Sequence, residues 1–347
     1  MSRPADLGSQ LADWAGQEPE RLRVAQVVFA LADACVDLAG VVAASPLDPM
    51  AAARAGGENA SGDAAKGLDL QAERLLVDAL ARTPVWAVCS EESAEPIVLR
   101  DGAGLVVAID PIDGSSNIDI NAPIGTIFSI LPAAGYETAL GALLQTGRNQ
   151  LAAGIVVYGP STVLMLTVGA GTDIYVLDPA DRTFRLMHAK VQLPDDALEY
   201  AINASNARHW SPSIQAYVSD LVNGSIGPRG RDFNMRWLAA LVAETLRILM
   251  RGGIYLYPAD ARPGYSKGRL RLVYEANPVS FLCEQAGGVA TDGLVNIMDI
   301  VPTDPHQKTP FIFGSKNKVE RVRRYLEEPD SVYEGSPLFS NRGLFRN

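Results

Sequence analysis

Asp110 and Asp113 stand three positions apart in the segment Ile109-Asp110-Pro111-Ile112-Asp113-Gly114-Ser115-Ser116-Asn117. Two carboxylates and the Ile112 carbonyl between them are hard oxygen ligands of the kind Mg²⁺ prefers, and Pro111 fixes the backbone that carries them. Gly114, Ser115 and Ser116 then offer N–H groups and hydroxyls in a tight turn, the donors a phosphate takes on its far side. An Asp-Pro…Asp-Gly turn that merely joins two strands would use the same residue types, so this segment alone leaves both readings open. Two further acidic positions follow apolar runs: Glu91 and Glu92 after Val85–Cys89, and Glu275 after Leu270–Tyr274. Taken locally, the first pair reads as solvated surface and Glu275 as a helix cap. Together with Asp110 and Asp113, however, they place acids at the ends of three strands. Such acids are able to converge on two or three cations that polarise a phosphoryl group and acidify a bound water.

The elements that must position these residues follow from periodicity. Apolar residues recur at helical spacing from Pro19 to about Ser45 (Leu22, Val24, Val27, Val28, Leu31, Ala34, Cys35, Leu38), which predicts a long amphipathic helix. Residues 55–67 hold four glycines and almost no bulky apolar side chain, the composition of a mobile loop, and a helical stretch from Asp69 to Ala81 follows. Short β-rich runs come next: Val85–Cys89, Leu105–Ile109, Gly125–Leu131, Gly154–Tyr158, Thr162–Val168, Ile174–Leu177 and Thr183–Met187, with hairpins expected around Gly159-Pro160-Ser161 and Pro179-Ala180-Asp181. Asp110 and Asp113 are expected in the loop beyond the second of these strands. After Lys190 the pattern alternates: strands near 199–202, 253–257, 269–274 and 311–313, helices near 212–223, 236–251, 278–286 and 316–326. This gives an α/β (α+β) fold in two halves, 1–190 and 191–335, with a loose tail at 336–347.

Composition narrows the class. A chain of 347 residues that is 48% hydrophobic is long enough for one large core or two ordinary ones. No apolar run approaches the roughly 18 to 20 uncharged residues of a membrane span, and no basic-then-apolar leader opens the chain, so a cytoplasmic protein is expected. Cys35, Cys89 and Cys283 stand alone in apolar surroundings without CxxC spacing, the pattern of small buried hydrophobes. A net charge of −10 speaks against nucleic acid as a partner, while a few arginines and bound cations are sufficient to hold a small phosphorylated molecule.

These pieces, in this order, resemble the class I fructose-1,6-bisphosphatase family, within the lithium-sensitive metal-dependent sugar and inositol phosphatases. The resemblance rests on Asp110–Ser115, on Gly253-Ile254-Tyr255-Leu256-Tyr257-Pro258-Ala259, on Gly268–Pro278, on Glu284-Gln285-Ala286-Gly287-Gly288 and on Val301–Gln307, and it covers roughly residues 20–327. It implies a layered α-β-α-β-α sandwich, a homotetramer, and Mg²⁺-dependent hydrolysis of the 1-phosphate of a sugar bisphosphate, with Mn²⁺ as a substitute. By matching positions Glu91, Glu92, Asp110, Asp113, Glu275 and the Ile112 carbonyl would hold the metals. Asp69 with Glu92 would activate water, and Asp63 would ride on a loop that closes over the site. The turn Gly114-Ser115-Ser116, with Asp113, would bind the 1-phosphate, and Asn203, Asn206, Arg236, Tyr257 and Arg269 the distal one, Arg236 from a neighbouring subunit.

The chain also departs from the family pattern. Asn206 and Trp237 stand where the animal enzymes have tyrosines, and Arg269 where they have lysine, so the distal phosphate pocket is expected to be reshaped. Gly104-Leu105 replaces the Lys-Tyr pair that holds AMP in the animal enzymes, so weak AMP inhibition is expected. A sedoheptulose-1,7-bisphosphatase, or an enzyme accepting both sugars, shares nearly every contact. A catalytically silent sugar-phosphate sensor would have lost a metal ligand, and every matched acid is in place.

Overall fold

The computed structural model describes residues 3–47, 54–58 and 64–328. At the N-terminus Asp6 takes the Ser9 N–H at 2.8 Å and so caps a first helix, α1 (Leu7–Ala15), which the sequence reading did not foresee. Pro19 then occupies the first turn of α2 (Pro19–Ala44), whose buried side chains, Val24, Val27, Val28, Leu31, Cys35 and Leu38 among them, recur at three- and four-residue steps. With its continuation to Leu47 this helix is long and apolar enough to cross a membrane, mean hydropathy 2.1, which corrects the expectation that no such run exists. Its apolar stripe is instead covered by α1, by α3 (Gly67–Leu80) and by a large sheet.

Where a mobile loop was expected, Arg54–Glu58 (β1) and Ala64–Lys66 (β2) form a short antiparallel pair. The large sheet follows: β3 (Val85–Ser90), β4 (Ile97–Val98), β5 (Leu105–Asp113), β6 (Ile124–Pro132), β7 (Ala152–Tyr158), β8 (Thr162–Thr167), β9 (Thr172–Asp178) and β10 (Thr183–His188), in the order β10-β9-β8-β7-β6-β5-β3-β4. Every neighbour pair is antiparallel except β3 and β5, and both predicted hairpins, β7–β8 and β9–β10, are present. A short helix, α4 (Ala139–Leu143), capped by Thr138, packs on β3, β5 and β6.

The second half holds β11 (Glu199–Ile202), α5 (Pro212–Val222), β12 (Asn234–Met235), α6 (Leu241–Arg251), β13 (Ile254–Tyr257), β14 (Leu270–Arg271), α7 (Asn277–Gln285), β15 (Val289–Thr291), β16 (Lys308–Thr309), β17 (Phe311–Gly314) and α8 (Lys316–Glu327). Five of the strands build a sheet in the order β12-β11-β13-β17-β15. Alternation along them sets the layers. Ala201, Tyr255, Phe311 and Phe313 face α6 and α7, which also cover Ile127, Ile155, Val163 and Met165 of the first sheet. Tyr200, Ile202, Ile254, Leu256 and Ile312 face the other way, onto α5 and α8. Helices, sheet, helices, sheet, helices: the α-β-α-β-α sandwich is present.

Two boundaries depart from expectation. The run Arg269–Tyr274 is strand only at Leu270–Arg271, where β14 pairs with β16, and then coils into a π-helical turn, Leu272–Ala276, that leads into α7. The helix expected from 236 starts only at Leu241, because Ala239 takes a positive φ of 56° and the Glu244 carboxylate accepts the Leu238 N–H at 2.6 Å just outside the helix.

Candidate functional site

β3 and β5 run parallel with Ser90 opposite Ile109, so both chains leave the sheet at the same edge, and the Glu91 N–H extends the ladder to the Ile109 carbonyl at 3.0 Å. That register brings Glu91 beside Asp110. On the other side, β6 pairs Ile127 with Asp110 but Gly125 with Asp113, so three steps on β5 match two on β6. In an unbroken strand, residues three apart face opposite sides; the bulge turns both aspartates to one side. Thr126 donates to the Pro111 carbonyl at 2.8 Å and lies 2.9 Å from the Tyr158 hydroxyl, which pins the bulge. The aspartates are therefore the last part of β5, not a loop beyond it, and this rigid seat corrects the sequence reading.

Glu275 arrives from the π-helical turn, which packs on β5 and β6. Carboxylate oxygens of Asp110, Asp113 and Glu275 all lie within 4.8 Å of one another. Burial, reinforced by the charges of Glu91, Asp113 and Glu275, holds the Asp110 carboxyl well above the usual range. Burial likewise pushes Asp113 up to about 6, although the Val242 N–H opposes this. Glu275 is raised well above its ordinary value by burial and by Glu91 and Asp113, against the pull of Arg271. The strain is that of buried like charges, and a divalent cation would relieve it. All-oxygen, anionic donors without thiolate or imidazole suit a hard cation of the Mg²⁺, Ca²⁺ or Mn²⁺ kind.

Neighbouring groups hold the acids in place. The first turn of α6 gives its Val242 N–H to Asp113 Oδ2 at 3.0 Å, a carboxylate at the positive end of a helix. That contact needs a glycine. A Cβ on Gly125 would come within 2.2 Å of the Val156 carbonyl oxygen and 2.9 Å of Val242 Cγ2, so the bare backbone lets α6 approach the sheet. Arg271, buried, brings its Nε within 3.2 Å of Glu91 Oε1, and its backbone N–H reaches Glu275 Oε2 at 2.5 Å. The sequence reading passed over Arg271; the available signal was a cation inside an otherwise apolar run.

The remaining predicted residues fall as follows. Ile112 is buried within the bulge, Glu92 is half-buried one residue past Glu91, and Asp69 is buried in the first turn of α3; neither Glu92 nor Asp69 belongs to the close trio. Asp63 lies outside the described residues. Gly114 has φ 78°, and a Cβ there would meet Ala240 Cβ at 3.2 Å; the 3₁₀ turn Ser115–Ile120 follows. Asn117 ties that turn to the entry of α6 through the Pro123 and Ala239 carbonyls, at 3.2 and 3.4 Å, a role the sequence reading did not assign. Asn203, Asn206 and Tyr257 share one cleft with Ile202, Trp210, Leu256, Pro258 and Asp260. Arg236 and Arg269 do not line it. Arg236 is exposed and sits 3.7 Å from Glu199, while the Arg269 guanidinium lies over the Tyr265 ring at 4.9 Å. Trp237 stacks on Tyr255, centroids 5.8 Å apart, and reaches Tyr257 at 6.2 Å, so it acts as a wall beside the cleft.

The raised Asp113 carboxyl sets a pH signature. Its folded value, about 6, exceeds the ordinary 3.8, so its contribution to stability is whole below about 4 and is lost as pH rises through 6. In chelator, Asp113→Asn is therefore expected to melt with the parent at pH 4 and above it at pH 7. The advantage opens as pH rises through 6, and a divalent cation is expected to reverse the order. Melting curves across pH, with and without the cation, check this; a difference independent of pH would contradict it.

A five-layer sandwich with a buried carboxylate cluster at the end of a parallel strand pair defines the sugar-phosphatase fold. The profile described as fructose-1-6-bisphosphatase, N-terminal domain, matches residues 25–189, and that of the C-terminal domain residues 193–327. The class 1 fructose-1,6-bisphosphatase of Azorhizobium caulinodans is 52% identical over 322 residues, 92% of this chain and 98% of its own. That of Nitrobacter vulgaris is 48% identical over the whole of both chains. The crystal structure of Leishmania major fructose-1,6-bisphosphatase in its holo form superposes with a TM-score of 0.87 at 28% identity, over 94% of this chain and all of that one. The chain belongs to the fructose-1,6-bisphosphatase family.

Proposed function

We propose that this chain is a fructose-1,6-bisphosphate 1-phosphohydrolase that works with Mg²⁺, two or three ions per site, and accepts Mn²⁺ in its place. The observation that carries this reading is the convergence of Asp110, Asp113 and Glu275 oxygens within 4.8 Å, next to the Gly114 turn, in a chain of this family. Glu91, Glu92, Asp110, Asp113, Glu275 and the Ile112 carbonyl would hold the cations, which would neutralise phosphoryl charge and acidify a water. Asp69 and Glu92 accept the proton of the attacking water, and Asp63 would close over the cations. The water oxygen bonds to phosphorus as the P–O bond to the sugar breaks, the departing sugar oxygen takes up a proton, and fructose 6-phosphate and phosphate leave. Gly114, Ser115 and Ser116 orient the 1-phosphate through N–H groups and hydroxyls, while Asp113 is kept in place by α6. Asn203, Asn206, Tyr257 and Arg269 hold the distal phosphate. Arg236, turned toward Glu199 and away from its own cleft, serves a neighbouring subunit of a homotetramer. The protein acts in the cytoplasm.

The short Asn206 side chain in the cleft favours a second reading alongside the first, in which a longer sugar such as sedoheptulose 1,7-bisphosphate is also turned over. Phosphate release from both sugars and from inositol monophosphate, with Mg²⁺ and with chelator, tests these readings. Turnover of at least one bisphosphate, lost in chelator, is expected; no Mg²⁺-dependent turnover of either would remove the main proposal. Arg269→Gln deletes one charge-assisted donor, a change of about 1.5 to 3 kcal/mol, so kcat/KM should fall about 10- to 100-fold, chiefly through KM. An unchanged KM would place the distal phosphate elsewhere.

A further inference from the structure

Lys318 lies in the first turn of α8 and exposes none of its surface, yet its Nζ makes no hydrogen bond. A buried ammonium without a partner is strongly unfavourable, the more so near the positive end of a helix. Its surroundings add cations. The Phe233 ring, on the segment between α5 and β12, has Lys318 Nζ at 4.4 Å, the Arg229 guanidinium at 4.8 Å and that of Arg231 at 5.6 Å. Arg321, one turn along α8, adds its charge to Lys318. Two more buried donors stand beside each other in this region, Arg229 Nη1 and the hydroxyl of the wholly buried Tyr217. Acids of this region are already engaged: Asp196 pairs with Arg231, Asp220 takes the Tyr325 hydroxyl at 2.5 Å, and Asp232 accepts the Ser225 N–H at 2.8 Å. Arg229, Arg231, Arg321 and Lys318 thus bring four cationic side chains to one place.

We propose that this group on the outer helical layer is a second anion site, built for a phosphoryl dianion. A gathering of cations favours a dianion, and the donors are the guanidinium, ammonium and hydroxyl groups that take phosphate oxygens. Phe233 is the floor on which the arginines stack. The five-stranded sheet separates the group from the carboxylate cluster, so the ligand is an effector and not the reacting phosphate.

The test is a thermal-shift titration of the full chain with inorganic phosphate in chelator, where the catalytic carboxylates have no cation to offer an anion. The melting temperature of the parent protein should climb along a saturating curve. Arg229→Gln and Lys318→Met should each move the midpoint about tenfold or more to higher phosphate, while Arg269→Gln leaves it within about twofold. If Lys318→Met does not fold, the half-buried Arg229 carries the same test. Unaltered midpoints in Arg229→Gln, or a response abolished by Arg269→Gln alone, would overturn the proposal. Repeating the titration with glycerol 3-phosphate separates the sources: a lower midpoint than phosphate supports an organic phosphate ester, an equal one free phosphate.

Discussion

Asp113→Asn is expected to lower kcat toward fructose 1,6-bisphosphate about 10³-fold at saturating Mg²⁺ while the fold is retained. The amide keeps the shape, and its oxygen accepts the Val242 N–H as the carboxylate does at 3.0 Å. What goes is one negative charge from a trio whose oxygens lie within 4.8 Å. A cation stabilises phosphoryl charge by several kcal/mol, and losing about 4 kcal/mol of that is a thousandfold in rate. Steady-state assays over a Mg²⁺ titration decide between two causes. A curve shifted to higher Mg²⁺ with kcat recovered would mean weakened metal affinity alone; depressed kcat at every concentration is the expected result. Retention of full activity would move the metal site away from β5.

Gly125→Ala should place a damaging methyl between the large sheet and α6. The new Cβ would stand 2.2 Å from the Val156 carbonyl oxygen, a backbone atom held in the β6–β7 ladder, and against both Val242 methyls. Neither neighbour is the end of a flexible chain. Overpacking of this kind costs about 3 kcal/mol or more, visible as a shifted denaturation midpoint with unchanged slope. Because Val242 also holds Asp113, activity should fall more than stability predicts: α6 moves away, and the carboxylate loses its donor. A variant as stable and as active as the parent would show that α6 is not seated by Gly125.

Much of this was legible in the chain. The strands of the first half announced themselves as β-branched runs between Gly and Pro, and α2 as a three-four repeat, because each buries one face or two in a regular element. Leu270–Tyr274 misled, since an apolar run of that length reads as strand while only two of its residues find a partner, and Leu272 gives its N–H to Gln307 instead. The start of α6 was invisible because Glu244 reaches back to Leu238, a tertiary choice that propensity does not encode. At the site, the acids stood out by type and order. Arg271 and Asn117 did not: the first works as a cation inside an acidic cluster, the second as a strap between turn and helix, and both roles exist only once distant segments meet.

The bulge between Asp110 and Asp113 makes the two acids obey a rule of counting. Substitutions at Pro111 or Ile112 should grade activity, because they alter how firmly the extra residue is held. Insertion or deletion of a single residue there would instead reverse the side on which one aspartate emerges. In a library of variants this stretch should tolerate many letters and only one length.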